Sequence, residues 1–268
     1  MRFVERNAVS VSGHGDAAMV FLHGYGCDSG MWHAVLPAFQ DQFKTVTYDL
    51  TGSGRSYLAD YDPARYASLD AHADDLIAIL DELGLRGVIA VGHSISAMTI
   101  GFAAKRRPDL IAHLVMICPS PSYVDDGAYK GGFSQADLLG LLDVLEANYL
   151  GWSREMAPQI MGAPGQPELG NLLTDSFCRT DPDIARHFAK VTFLQDHRAE
   201  VKGISQPTLI LQCRDDILVP PQVGEWMVAN MANATLTVLD ATGHCPHMSA
   251  PEMTSDAILG FLQSPVPA

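Results

Sequence analysis

One stretch limits what this chain can fold into: Val88-Ile89-Ala90-Val91-Gly92-His93-Ser94-Ile95-Ser96-Ala97-Met98. Val88 to Val91 are apolar throughout and read as a buried strand. A helix begins directly after Ser94, with Ala97, Met98, Ile100 and Gly101 giving it an apolar face. Gly92-His93-Ser94 must therefore turn sharply from strand to helix. That is the layout of G-x-S-x-G, a strained turn that lifts a serine hydroxyl above a sheet edge. The two chain segments nearly touch there, so small residues are needed on both sides. Gly92 meets that need; the fifth position is Ser96, small but not glycine. A buried serine in an ordinary turn has the same letters, so a catalytic reading depends on partners elsewhere in the chain.

The rest of the sequence alternates strands and helices. Phe3 to Ser12 reads as an opening hairpin and Ala17 to Leu22 as a buried strand ending in His23-Gly24-Tyr25-Gly26. The spacing predicts a helix over Met31 to Phe39, a strand over Thr45 to Tyr48 and an amphipathic helix over Ser68 to Leu83, capped by Ser68 and ended by Gly84. Gly52 and Gly54 do not make a dinucleotide loop, because Tyr57 stands where the third glycine belongs and no helix opens there. His113 to Ile117 is the next strand. From Tyr123 to His197 no strand is predicted, only helical patches over Gln135 to Tyr149, near Trp152, over Glu168 to Cys178 and over Ile184 to Asp196. Glycines and prolines, Pro158 among them, separate or flank these patches. A ridge of Leu138, Leu139, Leu141, Leu142 and Leu145 exceeds what one helix partner needs, so part of it should face a pocket. Alternation resumes with a strand over Thr208 to Gln212, a helix over Pro221 to Asn230, a strand over Thr235 to Leu239 and a helix over Glu252 to Leu262. The fold class is thus α/β: a mostly parallel central sheet, helices on both faces and a helical cap inserted over the C-terminal strand edge. The core spans residues 1–122 and 198–268, the cap 123–197.

Composition narrows the function classes. A formal net charge of −14 argues against nucleic acid and against an anionic membrane as partners. The one dense basic run, Lys105-Arg106-Arg107, closes a helix, where it complements the dipole and stays solvated. No apolar run approaches the ~20 residues of a membrane span. Five cysteines without paired spacing, and a start without a signal-type apolar region, read as reduced and cytoplasmic. The tail Ser264-Pro265-Val266-Pro267 is expected to fray.

A neutral serine needs a histidine to take its proton and an acid to hold that histidine. Ser94, Asp216 and His244 each follow a predicted strand, in the order Ser, Asp, His found in α/β-hydrolases. Asp215 is adjacent to Asp216 and not separated from it by pattern alone. Asp216 is preferred because Asp-x-x-x-Pro (Asp216 to Pro220) leads into the next helix, with Asp240 as the fallback. His244 follows Gly243 at a strand end, and His247 reads as a supporting residue. His244-x-x-His247 beside Cys245 lacks a second ligand cluster at metal spacing, so no metal and no cofactor is expected. In such a fold the loop after the Ala17 to Leu22 strand and the residue after the nucleophile donate the oxyanion-hole amides, here Tyr25 and Ile95.

Several motifs together resemble the α/β-hydrolases of the RsbQ group, which includes the bacterial stress-response regulator RsbQ and the plant strigolactone and karrikin receptors. They are Phe21-Leu22-His23-Gly24-Tyr25-Gly26-Cys27-Asp28, Tyr48-Asp49-Leu50-Thr51-Gly52-Ser53-Gly54-Arg55-Ser56, Gly92-His93-Ser94-Ile95-Ser96-Ala97, Gly131-Gly132-Phe133 and Gly243-His244-Cys245-Pro246-His247-Met248. Pro119-Ser120-Pro121-Ser122-Tyr123 and Asn148-Tyr149-Leu150-Gly151-Trp152 make the similarity specific to this group. The resemblance implies the triad Ser94, Asp216 and His244, oxyanion donors at Tyr25 and Ile95, and a helical cap over an apolar pocket. By position that pocket would be lined by Tyr25, His93, Tyr123, Phe133, Leu141, Trp152, Met156 and Phe193. Tyr25 stands where the group commonly has Phe, and Ser29-Gly30-Met31-Trp32 is shifted from its usual Gln-Ser pattern. The expected activity is hydrolysis of a small apolar ester or lactone. The alternative is a slow-hydrolysing ligand sensor that signals through a protein partner at the cap. A dehalogenase or epoxide hydrolase would want a carboxylate at position 94; a carbon–carbon bond hydrolase uses the same triad.

Overall fold

Buried parallel strands must be apolar on both faces, and the sheet is built from such runs. The computed structural model describes residues 1–263, so the Ser264 to Pro267 tail lies outside the described residues. The strands are β1 (Ser10–Ser12), β2 (Ala18–Leu22), β3 (Lys44–Tyr48), β4 (Val88–His93), β5 (Ile111–Ile117), β6 (Thr208–Asp215) and β7 (Ala234–Thr242). They form one sheet in the order β1-β3-β2-β4-β5-β6-β7. Only β1 runs antiparallel to its neighbour. Every residue of β2 and β4 is buried, so both sheet faces are covered there, whereas the edge strand β7 is largely open to solvent.

The helices are α1 (Phe3–Arg6), α2 (Asp70–Glu82), α3 (Ile95–Arg106), α4 (Gln135–Ala147), α5 (Tyr149–Met161), α6 (Pro167–Arg179), α7 (Pro182–Leu194), α8 (Arg198–Val201), α9 (Pro221–Asn230), α10 (Pro246–Ser249) and α11 (Pro251–Gln263). Helices α4 to α8 lie between β5 and β6 in the chain, with no strand of the sheet among them. No helix of the described residues is long and apolar enough to cross a membrane.

Four local expectations are overturned. The opening hairpin is instead the short helix α1, whose first amides donate to the Glu82 carboxylate, followed by β1. The helix over Met31 to Phe39 is two short 3₁₀ turns, Ser29–Trp32 and Leu36–Ala38. Pro37 has no N–H to continue a helix, and the Asp28 carboxylate caps the first turn by accepting from the Gly30 amide. Pro158 does not separate helices: α5 runs through it to Gly162, which ends the helix in a left-handed conformation. The basic run closing α3 is also more than a solvated cap, since Arg106 pairs with Asp70 and Asp74, and Arg107 with Asp81 and Asp109.

A buried ion pair anchors the N-terminal segment. Arg6 meets Asp75 of α2 at 2.6 Å with both side chains almost fully buried. Asp75 is otherwise saturated, by Arg65 at 2.7 Å, the Tyr66 hydroxyl at 2.7 Å and the Thr51 hydroxyl at 2.8 Å. Removing one partner leaves an uncompensated charge, which typically costs about 3–5 kcal/mol. Asp75→Ala should show a loss of that order in urea unfolding, and pairing Asp75→Leu with Arg6→Met should recover most of it.

Two buried imidazoles add a pH dependence. Burial pushes His72 from an ordinary 6.5 to about 4 and His247 to about 3. Neither has a partner on either ring nitrogen, so both stay neutral in the folded chain and bind protons more readily when it unfolds. Their contribution is complete above about pH 6.5 and is lost as the pH falls toward those lowered values. Urea stability should therefore fall below pH 6.5 by up to about 1.4 kcal/mol per pH unit for each histidine, and His72→Phe should flatten the slope.

Candidate active site

The elbow is held in a conformation that a serine does not choose freely. Ser94 has φ 55° and ψ −122°, and its amide donates to the Ile117 carbonyl of β5 at 2.8 Å. A Cβ on Gly92 would lie 2.5 Å from the Ser96 carbonyl oxygen, so no larger residue fits where β4 passes α3. Ser96, in the position where G-x-S-x-G has glycine, gives its hydroxyl to the His23 carbonyl and ties the elbow to the loop after β2. His23 is itself fixed: its Nδ1–H donates to the Gly24 carbonyl at 2.9 Å and its Nε2 accepts from the Leu50 amide at 3.0 Å. Burial holds its pKa below the ordinary value, consistent with this neutral tautomer.

Three strand ends bring the polar groups together. His244 Nε2 lies 2.8 Å from Ser94 Oγ, and its Nδ1 lies 2.6 Å from Asp216 Oδ2. The other Asp216 oxygen accepts from the Leu218 amide at 2.9 Å, which orients the carboxylate. Asp215 is exposed and contributes its backbone carbonyl to the Gly243 amide, while Asp240 pairs with Arg214 at the surface. Gly243 has φ 93° and sits so close to α5 that a Cβ there would meet the Met161 carbonyl at 2.0 Å. The next amide, of His244, donates to the Ile160 carbonyl at 2.8 Å. His93 also supports this loop, giving its Nε2–H to the His244 carbonyl at 2.8 Å. His247 packs between the rings of Trp32 and His93, at 4.6 and 4.5 Å.

Cys118 joins Asp216 and His244 in a group whose ligand atoms lie within 4.8 Å of one another. The donor set suits a metal poorly. Burial holds the Cys118 thiol well above its ordinary pKa, and the carboxylate and imidazole are already bonded to each other.

The loop carrying Tyr25 runs against the elbow: a Cβ on Gly24 would lie 3.2 Å from Ser94 Cβ. Ile95 opens α3, so its N–H has no acceptor within the helix. The same loop is fastened to the helical insertion above it. The Tyr25 hydroxyl donates to the Ala185 carbonyl of α7 at 3.0 Å, the Ser176 hydroxyl to the Gly26 carbonyl at 2.9 Å, and Arg179 pairs with Asp28 at 3.1 Å.

Over Ser94 these elements enclose a cavity with free volume of about 20 Å³. Tyr25, His93, Tyr123, Trp152 and Phe193 line it. Phe133, Leu141 and Met156 do not; they are half-buried against the core elsewhere. On α4 the buried stripe is Leu138, Leu142 and Leu145, and Leu141 lies about 60° of helix rotation from its centre. Met156 falls within the buried arc of α5 but is only partly buried and stops short of the cavity, and Phe133 lies in a short bridge to Val124. None of the leucine ridge reaches the cavity, and Leu139 is exposed. Lining residues not singled out from sequence include Phe177, Leu173, Ile160, Thr192 and Cys27. The amphipathic pattern of α6 held the signal for Leu173 and Phe177. Phe177 stacks on Trp152 at 5.9 Å and meets the Tyr25 ring edge-on at 5.9 Å. Burial raises the Tyr25 phenol well above its ordinary pKa, so it is neutral.

Comparison with known proteins agrees with this architecture. The chain is 38% identical over 245 residues to the strigolactone esterase RMS3 of Pisum sativum, covering 91% of each chain. It is 34% identical over 260 residues to the karrikin insensitive 2 receptor CA of Petunia hybrida, covering 95% of each. Among solved structures, a hydrolase from Oleispira antarctica superposes with a TM-score of 0.95 at 39% identity, over 98% of this chain and 97% of that one. Residues 19–257 match the family model described as the alpha/beta hydrolase family, and the chain belongs to that family.

Proposed function

We propose that this protein hydrolyses small, mostly apolar carboxylic esters or lactones through an acyl-enzyme on Ser94. The observation that carries this reading is the line from Asp216 to His244 to Ser94, bonded at 2.6 and 2.8 Å. Asp216 accepts the Nδ1–H of His244, which leaves Nε2 free to take the serine proton. Ser94 Oγ then attacks the substrate carbonyl carbon, and the amides of Tyr25 and Ile95 receive the developing oxyanion. His244 returns its proton to the leaving alcohol oxygen as the C–O bond breaks. Water repeats the sequence on the acyl-enzyme and releases the acid. No cofactor enters any step. The aromatic and aliphatic lining disfavours charged substrates. Residues 123–197 act as the cap over this site, and five unpaired cysteines favour a reducing, cytoplasmic setting.

A second reading, a ligand sensor with slow hydrolysis, is favoured by the receptor names among relatives that match almost the whole chain. The tight cavity would retain a product, and Leu139, Val144 and Leu150 are exposed on the insertion.

Short-chain p-nitrophenyl esters and a butenolide, followed over time, separate the two. Steady multiple turnover in the wild type, reduced by a factor on the order of 10⁶ in Ser94→Ala and about 10⁴ in Asp216→Asn, is the expected result for the hydrolase. A single burst followed by near silence, also lost in Ser94→Ala, is the result expected of the sensor. Equal turnover in wild type and Ser94→Ala would sink both.

A further inference from the structure

Helical threonines usually settle their hydroxyl on the carbonyl one turn back. This chain follows that habit at its other helical threonines among the described residues. Thr174 donates to Gly170 at 2.8 Å, Thr254 to Ala250 at 2.9 Å, and Thr99 to Ile95 at 3.4 Å. Thr192, on α7, does not. Its side chain is 2% exposed, and Oγ1 is buried without a hydrogen-bond partner.

Thr192 also lines the cavity over Ser94. Other polar groups around that cavity are engaged at Tyr25 with Ala185, at His93 Nε2 with the His244 carbonyl, and at Ser94 with His244; His93 Nδ1 is also unpartnered but packs against Gly24. The Tyr123 phenol interacts with Ser94. A buried hydroxyl without a partner is costly, so a position of this kind is kept where something else completes the bond.

Building on the hydrolase reading, we propose that Thr192 is a specificity-determining residue that hydrogen-bonds a second oxygen of the substrate, apart from the ester group that Ser94 attacks. The preferred substrate is then a compact ester or lactone bearing an ether, keto or hydroxyl oxygen on an otherwise apolar frame. A site built to hydrogen-bond one substrate group discriminates against the analogue that lacks it, because the protein group is left unpaired.

Thr192→Val keeps the shape and removes only the hydroxyl. Three matched pairs test it: p-nitrophenyl methoxyacetate against butyrate, p-nitrophenyl 4-oxopentanoate against pentanoate, and 2-methoxyethyl acetate against butyl acetate. Intrinsic reactivity cancels when the ratio of kcat/KM within a pair is compared between wild type and variant. In at least one pair that ratio should drop by about tenfold in Thr192→Val. The unfolding midpoint of the variant should be equal or higher. Unchanged ratios in all three pairs overturn the proposal, and so does a marked fall in stability, which would make the hydroxyl part of the fold. If Ser94→Ala proves as active as wild type, the hydrolase reading fails instead. The same pairs, read as ligand-induced shifts in melting temperature with and without Thr192→Val, then decide the role of the hydroxyl.

Discussion

Ser94 sits in a backbone region that costs a non-glycine residue about 1–3 kcal/mol, and the centre of the molecule is arranged to hold it there. Strand β4 is buried along its whole length between β2 and β5, and α3 is buried from Ile95 to Ala104. Neither end of the turn can relax without disturbing the sheet or its best-packed helix. Gly92 permits the crossing, and the Ser96 hydroxyl adds a clasp to the loop after β2. What this strain provides is placement: the hydroxyl stands clear of both elements and within reach of groups from two other strand ends.

Three buried imidazoles support the segments next to the elbow. His23, His93 and His247 are held neutral by burial, and the first two use ring nitrogens to fix backbone groups of the loops after β2, β3 and β7. Their neutrality matters for His244. In the proposed mechanism a charged imidazolium at His93, 5.0 Å away, would oppose a positive charge on His244, and burial removes that opposition. Asp216 is the carboxylate bonded to His244.

Strand ends made the sheet and the line from Ser94 to His244 to Asp216 legible in the sequence. Parallel strands buried on both faces are continuous apolar runs, and Ser94 and Asp216 follow two of them; His244 follows β7, an exposed edge strand. Spacing alone did not separate Asp215 from Asp216, because the two differ only in which side of a bulged strand end they leave. The cavity wall was harder to read. Whether Leu141 or Leu142 faces inward depends on the rotation of α4 about its axis, which is set by docking against other helices rather than by the stripe itself. Thr192 looked like one more polar letter in an amphipathic helix, and only the contrast with Thr174 and Thr254 marks it out. The short helix α1 was missed because its stability is tertiary: Glu82 and Asp75 on α2 hold four residues that have little helical tendency alone.

The insertion is fastened to both loops that frame the nucleophile. Helices α6 and α7 hold Tyr25, Gly26 and Asp28, while the end of α5 holds the amide of His244. The space beneath it has room for about one water molecule, less than an ester needs. This roof and the groups around Ser94 are therefore one mechanical unit: a displacement of α5, α6 or α7 is felt at His244, Gly26 and Tyr25 through these bonds.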